Sequence, residues 1–280
     1  MAVNKVEYNY NGQLKTLIDL TADTVTADKL AKGYTAHDMS GNIITGTMES
    51  GSGDDTLLKS LIEKDNLTTF DFPEGVKKIG SYTFYRCSNL TIPSLPDGIT
   101  EIGAYAFAGC TSLGLTSIPE SVTTIYGGAF SENAYILLTS LPSGLTKIRS
   151  YTFAGSNLSI TSLPDGITEI GSFAFNECTS LGLTSLPEGL TTIGDGAFQN
   201  CNNISISSIP SGVYLGDYAF YSCDGLTSIT FKGKPRGIYS DSFLNCSNLT
   251  TINVPWSEGE VSGAPWGATN ATIHYNYTTT

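Results

Sequence analysis

Apolar residues in this chain fall in short pulses rather than long stretches. From about residue 71 onward two pulses alternate, one like LTSIP (Leu115 to Pro119) and one like ITEIG (Ile167 to Gly171). Both are rich in β-branched side chains and too short for helices, so they predict short strands. Glycine and proline between them mark turns. The pulses keep a period. Phe84, Phe107, Phe130, Phe153, Phe175, Phe198, Phe220 and Phe243 follow one another at 22 or 23 residues. Pro73, Pro96, Pro119, Pro142, Pro164, Pro187 and Pro210 run in step, mostly 11 residues ahead of each Phe. Composition alone does not align eight phenylalanines, and self-similarity at such a period signals a solenoid. One unit cannot bury its Phe and Leu by itself. Stacked units can, each strand pairing with the same strand of the next coil. At a strand spacing of about 4.8 Å, the array is a rod on the order of 40 Å long.

Each unit reads Leu-Pro-x-Gly-Ile-Thr-x-Ile-Gly-x-x-Ala-Phe-x-x-Cys-x-x-Leu. This pattern resembles the bacterial surface-protein (BspA-like) leucine-rich repeats. The resemblance covers about Phe72 to Val254. It implies a mainly β, curved solenoid of about eight coils, with a parallel sheet on one face. It also implies a binding or adhesion module rather than an enzyme, by analogy, since a fold does not fix a function.

The ends depart from the repeat. DDTLLKSLIEKDNL, Asp54 to Leu67, reads as a short helix with Leu57, Leu58, Leu61 and Ile62 on one face and Asp55 or Thr56 as its cap. It predicts a helical N-terminal cap over residues 56–70 that seals the solenoid of 71–254. A flexible Gly/Ser linker, 50–55, precedes it. Residues 255–280 read as a C-terminal cap, in which Trp256 and Trp266 either close the last coil or help a partner dock, and ATIHYNY alternates like a final strand. Residues 1–49 are a separate head. Asn11-Gly12 marks a hairpin within VEYNYNGQLKTLIDL, Thr26 to Gly33 fits a short helix, and NIITGTM fits a strand. A head this small seldom stands well alone. A partner, or a copy of itself, is therefore expected to complete it, with the strand at Ile43-Ile44 pairing to another subunit.

Composition narrows the function. The 280 residues carry a net charge of -12, with 40% hydrophobic and 14% charged side chains. So acidic a chain repels phosphate backbones, which excludes nucleic acid as a partner. No run of about 18 apolar residues is present, so no helical membrane span is expected. MAVNKVEYNYNG lacks the charged start and apolar core of a secretory signal.

The head, through LIDLTADTVTADKLAKGYTAHDMSGNIITGTM, resembles segments that open phage and prophage tail-associated proteins of Gram-positive gut bacteria. The ending PWSEGEVSGAPWGATNATIHYNY is similar in kind. This resemblance implies that residues 1–49 anchor to other virion tail or baseplate proteins, and that the solenoid binds a host cell-surface protein or glycan. Such a chain is assembled in the host cytoplasm and carried on the virion, possession of a signal being unnecessary. A bacterial cell-surface or secreted adhesin is the alternative. A homo-oligomer is compatible with either.

Candidate chemistry is sparse. Cys87, Cys110, Cys178, Cys201, Cys223 and Cys246 each lie three residues after a repeat Phe, and Asn133 and Ser156 fill the same slot in two units. A slot that accepts Cys, Asn or Ser predicts a buried structural ladder of small side chains, each able to hydrogen-bond a neighbouring turn. No C-x-x-C pair points to zinc, and no metal or cofactor is expected. His37-Asp38 lacks a nucleophile to serve and reads as a polar turn. Asp54-Asp55 and Glu258/Glu260 can bind a cation or simply be solvated loop charges. Asn89, Asn157 and Asn248 head Asn-x-Ser/Thr triplets that the repeat itself generates.

Positions that vary while the frame holds are expected at the surface. They include Tyr85-Arg86, Ala108-Gly109, Ser131-Glu132, Asn176-Glu177, Gln199-Asn200 and Tyr221-Ser222. Two residues before the Phe runs an aromatic row of Tyr82, Tyr105, Tyr151, Phe173 and Tyr218. These rings either contact a sugar or protein or cover the turn of the next coil. The pattern breaks most in the middle, where Tyr126 and Arg149 replace the Gly after the Ile and Tyr135 replaces a small residue. A local departure in a regular array marks a candidate contact patch, here Tyr126, Tyr135 and Arg149.

Overall fold

The computed structural model describes residues 5–10, 13–19, 34–37, 43–45, 56–57, 67–72 and 75–278. Strands β1 (Lys5–Tyr10), β2 (Gln13–Asp19), β3 (Tyr34–His37) and β4 (Ile43–Thr45) form one antiparallel sheet in the order β2-β1-β3-β4. β1 and β2 pair on either side of residues 11–12, as the hairpin signal predicts. β4 pairs with β3, Ile43 opposite His37. The strand that starts at Ile43-Ile44 thus has a partner within the chain on one side and forms an edge of this sheet. The helix expected from Thr26 to Gly33 lies outside the described residues.

The ITEIG pulse of each repeat becomes a two-residue strand. These are β5 (Thr56–Leu57), β6 (Lys78–Ile79), β7 (Glu101–Ile102), β8 (Thr124–Ile125), β9 (Lys147–Ile148), β10 (Glu169–Ile170) and β11 (Thr192–Ile193). β12 (Ser208–Ile209) follows from the LTSIP pulse, then β13 (Tyr214–Leu215), β14 (Ser228–Phe231), β15 (Gly237–Ile238), β16 (Thr251–Asn253) and β17 (Thr272–His274). Ile79, Ile102, Ile125, Ile148, Ile170, Ile193 and Leu215 point into the core. The residue before each faces outward, because side chains alternate along a strand. Pairing between coils is parallel and in register, Ile on Ile. The LTSIP pulse pairs into a sheet late in the chain, as β12-β14-β16-β17, and earlier makes the single bridge Ser94–Ser117.

The main sheet is interrupted. One sheet runs β5-β6-β7-β8 and a second runs β9-β10-β11-β13-β15. Elsewhere the N–H after the inward residue donates to that residue's counterpart one coil earlier: Gly103 to Ile79 (2.7 Å), Tyr126 to Ile102 (2.9 Å), Gly171 to Ile148 (2.7 Å) and Gly194 to Ile170 (2.8 Å). Among the described residues no such bond joins Arg149 to Ile125. The opposite wall of the coil stays bonded across this seam, Phe130 N–H to Thr152 C=O at 2.9 Å and Glu132 N–H to Ala154 C=O at 2.7 Å.

The core is a column of rings. All eight repeat phenylalanines are fully buried. Successive centroids from Phe84 to Phe243 stand 5.1–5.7 Å apart with planes within 13° of parallel. Edge-on rings close both ends. Phe70 and Phe72 meet Phe84 at 4.9 and 6.0 Å. Phe231 meets Phe243 edge-on, and Trp256 and Trp266 pack on Phe231. The two tryptophans thus seal the last coil. The first coil is sealed differently from expectation. Thr56–Leu57 is a strand paired with β6, and Leu67–Phe72 carries no helix. The rest of the expected helical cap, residues 58–66, lies outside the described residues. Phe70 and Phe72 provide the cover, because edge-to-face contact suits an aromatic column's end.

Each coil leans on its neighbours alone, so a hole in the middle of the column has no other support. Phe175→Ala is expected to cost about 3–5 kcal/mol, read as a lowered midpoint in urea unfolding of the full chain.

Candidate functional site

The slot three residues after the Phe has one job throughout. Cys110, Cys178, Cys201, Cys223 and Cys246 each direct Sγ at the carbonyl of the Phe one coil earlier, at 2.9–3.0 Å. Asn133 Nδ2 donates to the Phe107 carbonyl at 3.0 Å, and Ser156 Oγ donates to that of Phe130. Except at Phe130, these carbonyls already accept the N–H three residues on, as Phe175 does from Cys178 at 3.0 Å; thiol, amide and hydroxyl each supply a donor to the second lone pair. This is the physical reason that Cys, Asn and Ser interchange here. All six cysteines, Cys87 included, are buried thiols. Burial first, and a neighbouring ladder thiol second, pushes Cys201 and Cys223 well above the ordinary thiol range; burial pushes Cys178 and Cys246 up to about 12. Thiols so protonated are neither nucleophiles nor metal ligands. Asn133 fits less well than Cys, since its Oδ1 is buried without a partner.

The aromatic row sits in an uncommon backbone conformation. Tyr82, Tyr105, Tyr151, Phe173 and Tyr218 have φ between +53° and +60°; Gly128, Gly196 and Asp241 occupy the same slot in the other three coils. A bulky residue at positive φ persists only where its surroundings impose it. Here the rings pay back the conformation by stacking. Tyr82 lies on Tyr105, and Tyr151 on Phe173, each at 5.2 Å. A Cβ at Gly128 would stand 2.3 Å from the Tyr105 ring, and one at Gly196 would stand 2.5 Å from Phe173. Tyr82, Tyr105, Tyr151 and Phe173 therefore each cover the same slot of the next coil, while Tyr218 meets Tyr221 edge-on.

The middle patch is placed otherwise. Arg149 and Tyr126 come together across the sheet interruption, the guanidinium 5.0 Å from the ring centroid. Both stand where other coils have Gly80, Gly103, Gly171, Gly194 and Gly216, and where the coil of β15 has Tyr239. At Gly103, Gly171 and Gly194 a Cβ would approach backbone of the preceding coil within 2.4–2.6 Å. Arg149 fits where the ladder to the preceding coil is open; Tyr126 keeps that bond, to Ile102 at 2.9 Å, and the ladder opens on its other side. Tyr135, the most exposed aromatic at 66%, lies further along the same coil near Leu137, which is also exposed. No ring contact joins Tyr135 to the Tyr126–Arg149 pair among the described residues.

Other expectations resolve individually. In four of the six variable pairs the second member faces solvent more than the first; Ala108 and Ser131, expected at the surface, are buried. Glu260 pairs with Lys234 at 2.8 Å, and that lysine's hydrogen bond lowers its pKa. His37 ends β3, while Asp38, Asp54 and Asp55 lie outside the described residues. Among the described residues no three His, Cys, Asp or Glu side chains gather as a metal site needs, and no helix is long and apolar enough to cross a membrane.

The outward row of the sheet exposes a longer period that the Phe count hides. It reads Lys78, Glu101, Thr124, then Lys147, Glu169, Thr192. Ion pairs join Lys78 to Glu101 at 3.1 Å and Lys147 to Glu169 at 2.6 Å. SLPDGITEIG occurs at 94–103 and again at 162–171, CTSLGLTS at 110–117 and 178–185, and SYTF at 81–84 and 150–153. The array thus contains two three-coil blocks, and the sheet breaks where they meet. Tyr126 and Arg149 are the two residues that differ from glycine on either side of that junction: their block counterparts are Gly194 and Gly80.

Comparison with known proteins fits this architecture. Residues 59–163 and 146–263 match the family described as BspA type leucine rich repeat region, in six copies. A leucine-rich repeat protein from Bacteroides ovatus is 21% identical with a TM-score of 0.60, over 98% of this chain and 76% of that one. The leucine-rich repeat protein of T. pallidum is 26% identical with a TM-score of 0.40, over 61% of this chain and 81% of that one. A leucine rich cell surface protein from Faecalibacterium prausnitzii is 19% identical with a TM-score of 0.39, over 92% of this chain and 94% of that one. No curated protein matches the chain.

Replacing a ladder donor tests the slot. Cys201→Val, which removes one of two donors to the Phe175 carbonyl and leaves the Cys178 N–H in place, is expected to lose about 0.5–1.5 kcal/mol in urea unfolding, and Cys201→Ser less. The raised thiol pKa values add a pH dependence. Stability from this source is complete below the ordinary thiol pKa of about 8.5 and falls as pH rises toward the folded value of about 12.

Proposed function

Because the chain belongs to the BspA-type leucine-rich repeat family, we propose that it is a non-enzymatic interaction protein of the bacterial surface, whose solenoid holds a partner at the junction of its two blocks. One observation carries the reading. Among the described residues, four of the eight large exposed hydrophobic side chains, Tyr126, Tyr135, Leu137 and Tyr151, belong to the two coils that meet at the junction. Elsewhere the equivalents of Tyr126, Tyr135 and Leu137 are mostly small residues. Clustered exposed apolar side chains mark interaction surfaces, and tyrosine and arginine are the residue types that most often anchor them. The acidic charge directs the choice of partner toward a host cell-surface protein or a neutral glycan and away from polyanions.

This reading takes the place of a virion tail role. Attachment of residues 1–49 to tail or baseplate proteins rests on the resemblance of the head alone, and none of the relatives named above is a phage protein.

Two measurements test the reading together. Immunogold labelling is expected on the envelope of producing cells; label confined to phage tails would overturn the surface assignment. Purified full chain is expected to adhere to host cells, and Tyr126→Ala and Arg149→Ala to weaken adhesion by roughly tenfold each, the loss of about 1.4 kcal/mol. Undiminished adhesion of both variants would remove the junction from the binding surface.

A further inference from the structure

The geometry points to a saccharide subsite in the first block: the cleft bounded by Lys78, Gly80, Ser81, Glu101, Gly103 and Tyr126 takes one neutral sugar ring, stacked on Tyr126. This rests on the surface-binding reading and names the ligand class of its central residue.

The cleft has a volume of about 240 Å³ and these residues line it, with Ile79 beneath. Sites for drug-sized ligands run to roughly 300–1,000 Å³, so this one suits a single small unit. Its floor is backbone. A Cβ on Gly103 would stand 2.4 Å from the Ser81 nitrogen, so glycine there keeps the floor open and flat. Its wall is an aromatic face. The lining comes from the two coils before Tyr126, whereas Arg149, which sits over the same ring, comes from the coil after it. The guanidinium therefore occupies one face and leaves the other to the cleft. This distinguishes Tyr126, 39% exposed, from the stacked tyrosines whose faces are covered by one another and by glycine turns.

The polar rim selects against charge. Lys78 and Glu101 pair at 3.1 Å, so the cleft's formal charges cancel. Together they still offer ammonium donors and carboxylate acceptors to hydroxyl groups. Ser81 Oγ accepts the Ala104 N–H at 3.1 Å and keeps its O–H to donate. A flat floor, an aromatic wall, and donors and acceptors with no net charge match the apolar face and hydroxyl edge of a neutral pyranose. An anionic or cationic ligand would lose its hydration without gaining an unpaired counter-charge.

The second block supplies the control. It keeps Lys147, Glu169 and Gly171, but Arg149 stands where the first block has Gly80, and Gly194 where it has Tyr126. Its counterpart therefore lacks both wall and open floor. Two copies of one framework differ at the positions that make the cleft.

Saturation-transfer NMR with full-length chain and free glucose, galactose, mannose and N-acetylglucosamine tests the assignment. Transfer to the ring protons of at least one sugar is expected. Tyr126→Gly, which places in the first block what the second already folds with, is expected to lower it at least ~10-fold while the urea midpoint stays close to that of the parent chain. Glu101→Gln is expected to weaken it in the same direction, and Tyr277→Ala, at an exposed ring near the far end of the chain, to leave it unchanged. Absence of transfer to all four sugars, or equal transfer in Tyr126→Gly, overturns the subsite. If the parent chain still adheres to cells in either case, the surface reading stands and the sugar assignment alone falls. If the chain adheres to no cell, the surface reading itself fails.

Discussion

A buried phenylalanine carbonyl, met by a donor from the next coil, is the interaction on which this solenoid depends. The ring column places the backbone of every Phe turn in a dry interior. Except at Phe130, each such carbonyl accepts the N–H three residues on within its own coil, and its second lone pair is left for a donor from the neighbouring coil. The side chain three residues after the next Phe supplies the donor, as in Cys178 to Phe153 and Asn133 to Phe107. Because donor and acceptor belong to adjacent coils, the bond fixes the stacking register. The rings can then lie nearly parallel at 5.1–5.7 Å, a spacing set by the backbone ladders rather than by ring preference alone.

That constraint leaves freedom elsewhere. The Phe wall is bonded through every coil, including across the block junction. The strand wall is not, and its interruption between β8 and β9 costs the fold little because the opposite wall carries the continuity. Glycine follows the inward residue at Gly103, Gly171 and Gly194, where a Cβ would meet backbone of the preceding coil, while Tyr126 and Tyr239 fill the same slot beside paired strands. The ladder opens between Tyr126 and Arg149, and the two side chains meet across the gap.

Much of this was legible in the sequence. The Phe period set the coils, the Cys/Asn/Ser slot announced a shared small donor, and Trp256 and Trp266 closed the last coil as their non-repeat setting implied. The departure at Tyr126 and Arg149 was visible too, but not that they touch, since contact across coils depends on the ladder opening. Leu57 and Leu58 read as a helical face, yet Thr56–Leu57 continues the parallel sheet; strand pairing with β6 overrides local helical spacing. The positive φ of the tyrosine row left no trace in residue type, because stacking rather than glycine sustains it. The three-coil duplication was present as repeated ten- and eight-residue phrases, and the shorter 22- and 23-residue period masked it.

The account turns on the junction being an opening in the strand wall, with the blocks on each side closed. Residue-resolved amide hydrogen exchange by NMR addresses that directly. Gly171, Gly194 and Gly216, whose N–H groups bond the preceding coil at 2.7–2.8 Å, should exchange slowly, near the rate of global unfolding. The Arg149 amide should exchange faster by orders of magnitude, while Phe130 and Glu132 on the opposite wall stay protected. Equal protection of Arg149 and Gly171 would mean a continuous sheet, and would contradict the account.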